Sequence, residues 1–342
     1  MSELHFNPNS AALQDAGIFG LPFDADQSEH IIIPVEWELT VSYGKGTADG
    51  PAAIKGASAQ IDLNNHDYPE LWRSGIWMDE FPQHLKDLHQ KLAPLAETII
   101  AAAETGHLEL KPKKYSGLYE RIIEGTQLKN LWLKERITYW KAKGKSVGLL
   151  GGDHSIPLAY HQYLMEAGQS YGVLMVDAHM DLRNAYEGFQ YSHASIFYNV
   201  MQMNHVTSMV QVGIRDYCHE EAEFARTMPQ RIKVYFDRSI RREQFEGRNW
   251  KEQVGEMLDF LPDKVYVSVD IDGLDPKLCP NTGTPVPGGL QFEELMYLLN
   301  KIKESGKEVV GFDLCEVSPG ADEWDGNVGA RVLFQLCGMA SR

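Results

Sequence analysis

A chain of 342 residues, 43% hydrophobic and 23% charged, has the composition of an ordinary globular protein, which excludes a disordered chain and a coiled coil and allows a large core. Its net charge of −16 speaks against a nucleic-acid partner, since phosphate binding needs basic patches, and is compatible with a small cationic substrate. Four scattered cysteines without a C-x-x-C, a polar start "MSELHFNPNS" and no apolar run near the ~20 residues that span a bilayer point to free thiols, no membrane contact and a cytoplasmic protein.

In chain order, "AGIFGLPFD" (16–24) reads as a strand, and "SYGKGTADGPAAIKGASAQI" (42–61) as a glycine-rich loop running into a helix with Pro51 in its first turn. "GKGT" lacks the upstream glycine of a phosphate-binding loop and is not read as one. Residues 83–145, rich in Leu, Ala, Lys and Glu, read as several helices forming an elaboration. From residue 147 onward, apolar β-rich runs at 146–152, 171–179, 206–215, 231–236, 264–272 and 308–317 alternate with helical patterns near 156–167, 193–203, 219–228, 249–260 and 291–305. That alternation predicts an α/β protein, a mostly parallel sheet between helical layers, whose ligands sit beyond the carboxyl ends of the strands. No repeat or linker divides the chain, and 1–342 reads as one domain.

The chemistry-bearing residues fall at those strand ends. "VDAHMD" sets Asp177, His179 and Asp181 two positions apart, and "VDID" repeats the pattern with Asp270 and Asp272. On an extended strand such residues point the same way, about 6.6 Å apart, a spread suited to two metal ions ~3.5–4 Å from each other. His154 in "GGDHS" supplies a sixth ligand, while Asp153 and Ser155 could cap the next helix and Asp275 in "DGLDP" reads as turn chemistry. Four carboxylates balance two divalent cations, and a set without cysteine suits Mn²⁺ better than Zn²⁺, with Ni²⁺ or Fe²⁺ as alternatives.

"GGDHS", "DAHMD", "SVDIDGLDP", "TGTPVPGGL" and "DLCEVSP" resemble, in order and spacing, the signature segments of the ureohydrolase family of arginase, agmatinase and formimidoylglutamase. The resemblance implies a three-layer α/β/α sandwich and a binuclear manganese hydrolase that cleaves a guanidino compound to urea and an amine by attack of a hydroxide held between the metals. It implies that Asp177 and Asp270 bridge the metals, with His154 and Asp181 completing one shell and His179 and Asp272 the other. Glu316 matches the carboxylate that accepts hydrogen bonds from the guanidinium, Thr284 adds a substrate contact, and His193 matches the proton-shuttling histidine. Asp181 would also take the hydroxide's proton. The loop 182–197, "LRNAYEGFQYSHASIF", lacks the arginase pattern and is similar to the agmatinase form, so an agmatine-like substrate is expected. Arg183 resembles instead the formimidoylglutamase branch, which binds a substrate carboxylate, and keeps guanidino acids, guanidine and formimidoylglutamate open. A catalytically silent scaffold is the non-enzyme alternative. The resemblance also implies a homo-oligomer, a trimer or hexamer.

Overall fold

The computed structural model describes residues 6–12, 16–110 and 112–341; residues 1–5, on which the polar start partly rests, and residue 111 of the helical stretch lie outside them. Among the described residues, eight parallel strands form one sheet: β1 (His30–Val35), β2 (Ile76–Met78), β3 (Ser146–Gly151), β4 (Tyr171–Val176), β5 (Val206–Ile214), β6 (Ile232–Phe236), β7 (Lys264–Asp270) and β8 (Glu308–Cys315). Their order is β2-β1-β3-β8-β7-β4-β5-β6. The four central strands, β3, β8, β7 and β4, are therefore those whose carboxyl ends lead to His154, Glu316 and Asp177 and, in β7, carry Asp270 as the last residue.

Helices cover both faces: α1 (Gly50–Ser58), α2 (Gln83–Glu104), α3 (His107–Leu110), α4 (Ser116–Ala142), α5 (Leu158–Glu166), α6 (Ile196–Met201), α7 (His219–Thr227), α8 (Asp237–Phe245), α9 (Trp250–Phe260), α10 (Phe292–Glu304) and α11 (Trp324–Ala340). Side chains alternate across each strand, and both sets are buried. Ile31, Ile33, Leu149, Val173 and Met175 join one apolar cluster with Leu85, Leu92 and Ile137 of α2 and α4. Ile32, Leu150, Leu174 and Val176 join the other with Ile54, Val254, Leu295 and Leu333 of α1, α9, α10 and α11. The three-layer sandwich expected from the sequence is the observed fold, with the stretch 83–145 as a helical pair on one face. None of the described helices is long and apolar enough to cross a membrane. The four cysteines are free, as their spacing implied.

One predicted element is wrong. "AGIFGLPFD" is no strand: it makes a 3-10 turn, Ile18–Gly20, because Phe19 at φ 60° and Gly20 at φ 67° turn the backbone out of the extended region. The strand in this part of the chain is β1, "HIIIPV", hidden by its proline, which argues against an interior strand. Pro34 is tolerated for a local reason. The His30 N–H points toward the β2 side, bonding Gly75 O at 3.2 Å, and so does every second residue after it. β2 pairs only as far as Ile32, so the position of the missing N–H faces no strand. The missed α11 carries glycines at 326 and 329, which disguise it in the sequence; a Cβ at either would come within 2.9 Å of Ala53 O or Ile54 Cδ1, so they permit close packing on α1.

Candidate metal centre and substrate cavity

The structure brings the expected ligand residues together, and not by a strand that continues through them. β4 ends at Val176, so Asp177, His179 and Asp181 do not alternate along a strand. They converge because the chain curls, with Asp181 at φ 53°, in the left-handed region that asparagine and aspartate tolerate best. The Asp181 carbonyl then accepts from Phe197 N at 3.0 Å, which ties the curl to the first turn of α6. Asp270 is the last residue of β7, and Asp272 follows in a 3-10 turn, Ile271–Gly273.

Six side chains meet here. His154 Nδ1 lies 3.0 Å from Asp177 Oδ2, 3.0 Å from Asp181 Oδ2 and 3.4 Å from Asp270 Oδ2. His179 Nδ1 lies 3.0 Å from Asp272 Oδ2 and 3.5 Å from Asp177 Oδ1. Three groups among the described residues have ligand atoms close enough for one ion: His154–Asp177–Asp181 and Asp177–His179–Asp272, which share Asp177, and His154–Asp313–Cys315 behind the imidazole. Backbone amides aim the carboxylates: Asp177 Oδ1 accepts from His179 N at 2.6 Å, Asp272 Oδ1 from Ala178 N at 3.0 Å and Asp270 Oδ1 from Asp272 N at 2.9 Å.

The fit to metal rests on two orphaned atoms. His154 Nδ1 and Asp177 Oδ2 are buried and face each other at 3.0 Å, and among the described residues neither has a well-aligned hydrogen-bond partner, although buried polar atoms are nearly always paired. The other imidazole nitrogen is engaged: His154 Nε2 lies 2.9 Å from Ser268 Oγ, which donates to Asp313 Oδ1 at 2.9 Å. That second contact orients the ring as it does in metal-ligating histidines. Charge tells the same story. Burial, and next the charge of Asp177, push Asp181 up to about 7. Burial, and next Asp272, push Asp270 well above the carboxylate range. Burial opposes a charged His179, yet Asp272 and Asp177 outweigh it and push that imidazole up to about 12. The cluster calls for positive charge, which divalent cations would supply.

Next to this cluster is a cavity of about 170 Å³, lined by Ser42, His179, Asp181, Arg183, Tyr186, His193, Ala194, Asp216, Tyr217, Glu221 and Thr284. His193 opens a 3-10 turn behind a Ser192 capping box. Its Nδ1 sits 3.3 Å from Thr40 Oγ1 and 3.4 Å from Ser192 Oγ, and Nε2 has no partner among the described residues. Burial, with His179 and His154 adding to it against the pull of Asp153, lowers His193 to about 4, so the ring is neutral at physiological pH. Arg183 stacks on Tyr186 with 5.0 Å from Cζ to the ring centre, and its Nε lies 3.7 Å from Glu221 Oε2.

Glu316 does not line this cavity. It is buried at φ 64°, and its Oε1 accepts from His154 N at 2.8 Å. Its Oε2 has no partner among the described residues, and burial together with Asp153 pushes the carboxyl well above the usual range. Thr284 lines the cavity but spends its hydroxyl on Asp272 Oδ2 at 3.4 Å. Asp153 accepts from Ser155 N at 3.1 Å and from Leu39 N at 3.2 Å, so it is a loop brace, and Asp275 accepts from Lys277 N at 3.1 Å in the turn expected of it. The sequence reading missed Thr40, Ser42, Tyr186, Asp216, Tyr217 and Glu221. Tyr186 lies inside the quoted loop, but nothing in the spacing singled it out.

Against known proteins, the profile described as "Arginase family" matches residues 14–338. The chain is 30% identical over 314 residues to the N(1)-aminopropylagmatine ureohydrolase of Thermus thermophilus, covering 92% of this chain and 91% of that one. It is 34% identical over 324 residues to the agmatinase of Pyrococcus horikoshii, covering 93% and 94%. The solved agmatine ureohydrolase of Thermoplasma volcanium superposes with a TM-score of 0.66 at 22% identity over 93% of this chain and 92% of that one, which shows a shared fold.

Proposed function

The chain belongs to the arginase family of hydrolases that cleave guanidino compounds, and we propose that it is a manganese-dependent ureohydrolase whose substrate is a guanidino compound with a cationic, agmatine-like tail. The observation that carries the reading is the pair of three-residue groups joined at Asp177, with orphaned atoms facing each other inside them. His154, Asp177 and Asp181, with Asp270, would hold one ion, and Asp177, His179 and Asp272, again with Asp270, the other. Bound there, two divalent cations would make a water nucleophilic at neutral pH. All-oxygen and imidazole donors favour Mn²⁺, with Ni²⁺ the nearest alternative.

The protein's own groups would do the rest. Glu316 keeps Oε2 free and is buried against the cluster, so it suits a charge-assisted pair with the guanidinium that fixes the carbon for attack. Asp181 reaches both the cluster and the cavity wall and can accept the water's proton. The departing amine leaves only when protonated. His193, neutral and with Nε2 unpartnered, can take a proton from the attack and pass it to that nitrogen, which suits a relay better than a standing acid. Toward the mouth, Asp216 with the faces of Tyr186 and Tyr217 suits an ammonium tail. The names of the Thermus and Pyrococcus relatives agree with such a tail.

A second reading has one observation behind it. The Arg183 terminal nitrogens have no partner among the described residues and could receive a carboxylate, as in a guanidino acid. Urea release from agmatine, N(1)-aminopropylagmatine, 4-guanidinobutyrate, guanidine and arginine, with Mn²⁺- and Ni²⁺-loaded protein, tests both. We expect kcat/KM for an amine-tailed substrate to exceed that for arginine by at least ~10-fold, a charge-assisted contact being worth about 1.5–3 kcal/mol. Comparable arginine turnover overturns the substrate. A preference for 4-guanidinobutyrate abolished by Arg183→Ala establishes the second reading.

A further inference from the structure

The helical pair formed by α2 and α4 has no part in the chemistry, yet it touches both loops that enclose the cavity. Along the loop after β1, Lys86 on α2 pairs with Glu36 at 2.6 Å, His89 Nε2 sits 2.7 Å from Glu38 O, and Lys45 pairs with Glu97. That loop supplies Thr40 to His193 and Ser42 to Tyr186, whose hydroxyl lies 3.5 Å from Ser42 Oγ. The loop after Asp181 meets α4 at its tip. Tyr186 and Phe189 exchange backbone hydrogen bonds of 3.1 and 2.8 Å, closing a two-residue turn with Glu187 at φ 50° and Gly188 at φ 84°. Both central residues at positive φ is the pattern of a type I′ hairpin turn. Tyr119 of α4 covers this turn. Its hydroxyl donates to Glu187 O at 2.5 Å, and its ring packs on Phe189 with centroids 5.3 Å apart. The packing is tight enough that a Cβ on Gly188 would lie 2.3 Å from the Tyr119 oxygen.

We propose that Tyr119 is a positioning residue for substrate selection: by latching the turn Tyr186–Phe189 onto α4, it sets the plane of Tyr186, against which the substrate's tail lies. The inference rests on the proposed function and extends it to a residue that touches neither substrate nor metal ligand. A glutamate with φ of 50° is strained for a residue with a side chain, and such conformations persist only when neighbours hold them. The hydrogen bond to Glu187 O falls on that residue. The consequences reach the cavity through Tyr186, whose ring stands 6.0 Å from that of His193 at 78° and underlies Arg183. The metal ligands are carried by the ends of β3, β4 and β7 rather than by this turn, so the latch acts first on binding.

The test compares Tyr119→Ala, Tyr119→Phe and Gly188→Ala with the wild-type full chain, each loaded with Mn²⁺. Read-outs are KM and kcat on agmatine, metal content, melting temperature, and hydrogen exchange at the amides of Tyr186 and Phe189. For Tyr119→Ala we expect KM to rise about tenfold or more with kcat within twofold, unchanged metal content and melting temperature, and exchange at both amides faster by at least tenfold. Tyr119→Phe keeps the ring contact and should fall between, and Gly188→Ala, which pushes the tyrosine away from the other side, should match Tyr119→Ala. Wild-type KM in Tyr119→Ala, or a parallel fall of kcat, metal content and melting temperature, overturns the proposal. If Tyr119→Ala does not fold, Tyr119→Phe and Gly188→Ala decide by the same criteria. If the wild type releases urea from no guanidino compound, the proposed function fails separately, and exchange alone then decides whether the latch positions the turn.

Discussion

Mn²⁺ should stabilise this protein in two equal steps that one carboxylate controls. Each group of ligands that binds an ion only in the folded state adds RT ln(1 + [L]/Kd), about 2.7 kcal/mol at a hundredfold excess over Kd. Unfolding entropy near 2.1 cal/mol/K per residue gives this 342-residue chain roughly 0.7 kcal/mol of stability per degree around its midpoint. Two occupied sites then raise the melting temperature by about 7 °C and one site by about 4 °C, on the same scale. Asp177 belongs to both groups of ligands, whereas Asp181 belongs to one. Asp177→Asn should therefore lose nearly the whole shift, and Asp181→Asn about half.

The assay is calorimetry of EDTA-stripped protein at graded Mn²⁺, with elemental analysis of the gel-filtered product. Baselines matter, because removing a carboxylate also relieves repulsion: the charge of Asp177 is one reason Asp181 is pushed up to about 7. Without metal, Asp177→Asn should thus melt no lower than the wild type, although it is the more damaging change once metal is added. A single step of about 4 °C with one ion bound, or equal losses in the two variants, refutes the shared-carboxylate arrangement.

Two further expectations are independent of that one. His193→Asn should keep the metal-induced shift and lose about 10²–10⁴-fold in kcat, the usual range for general acid–base groups, and an unchanged kcat in metal-replete protein removes His193 from the mechanism. Asp79→Ala, far from the chemistry, removes the acceptor shared by Trp140 Nε1 at 2.8 Å and Arg136 Nε at 2.9 Å, which ties α4 to the end of β2. It should cost about 2 kcal/mol, hence roughly 3 °C in melting temperature, with kcat unaffected; a melting temperature within half a degree of wild type contradicts it.

The sheet from residue 146 onward was legible because its central strands are buried on both faces and so read as unbroken apolar runs, and because β3, β4, β7 and β8 end in residues with no reason to follow an apolar strand unless they bind something. β1 was not, because a proline is judged by its missing donor, and only the pairing register reveals that the donor would have faced an edge where β2 has already stopped. The six metal-type side chains were legible from residue type and the mechanism of their convergence was not. Strand alternation predicted it, yet the chain achieves it by bending Asp181, and equally Glu316, into positive φ. Neither residue is a glycine, and neither conformation leaves a mark in the sequence. Both carboxylates are buried and close to His154, Asp181 through its side chain at 3.0 Å and Glu316 through the backbone amide at 2.8 Å. The strain therefore sits where the strands give way to loops, and what holds it is the hydrogen bonding around it, from Phe197 N to Asp181 O and from Glu316 N to Gly152 O. A regular strand continued through Val176 would carry its ligands out along a line, whereas a left-handed residue at the right place folds the line into a cluster. That substitution of strained turns for extended strand lets ligands from three strand ends, those of β3, β4 and β7, meet within reach of two ions.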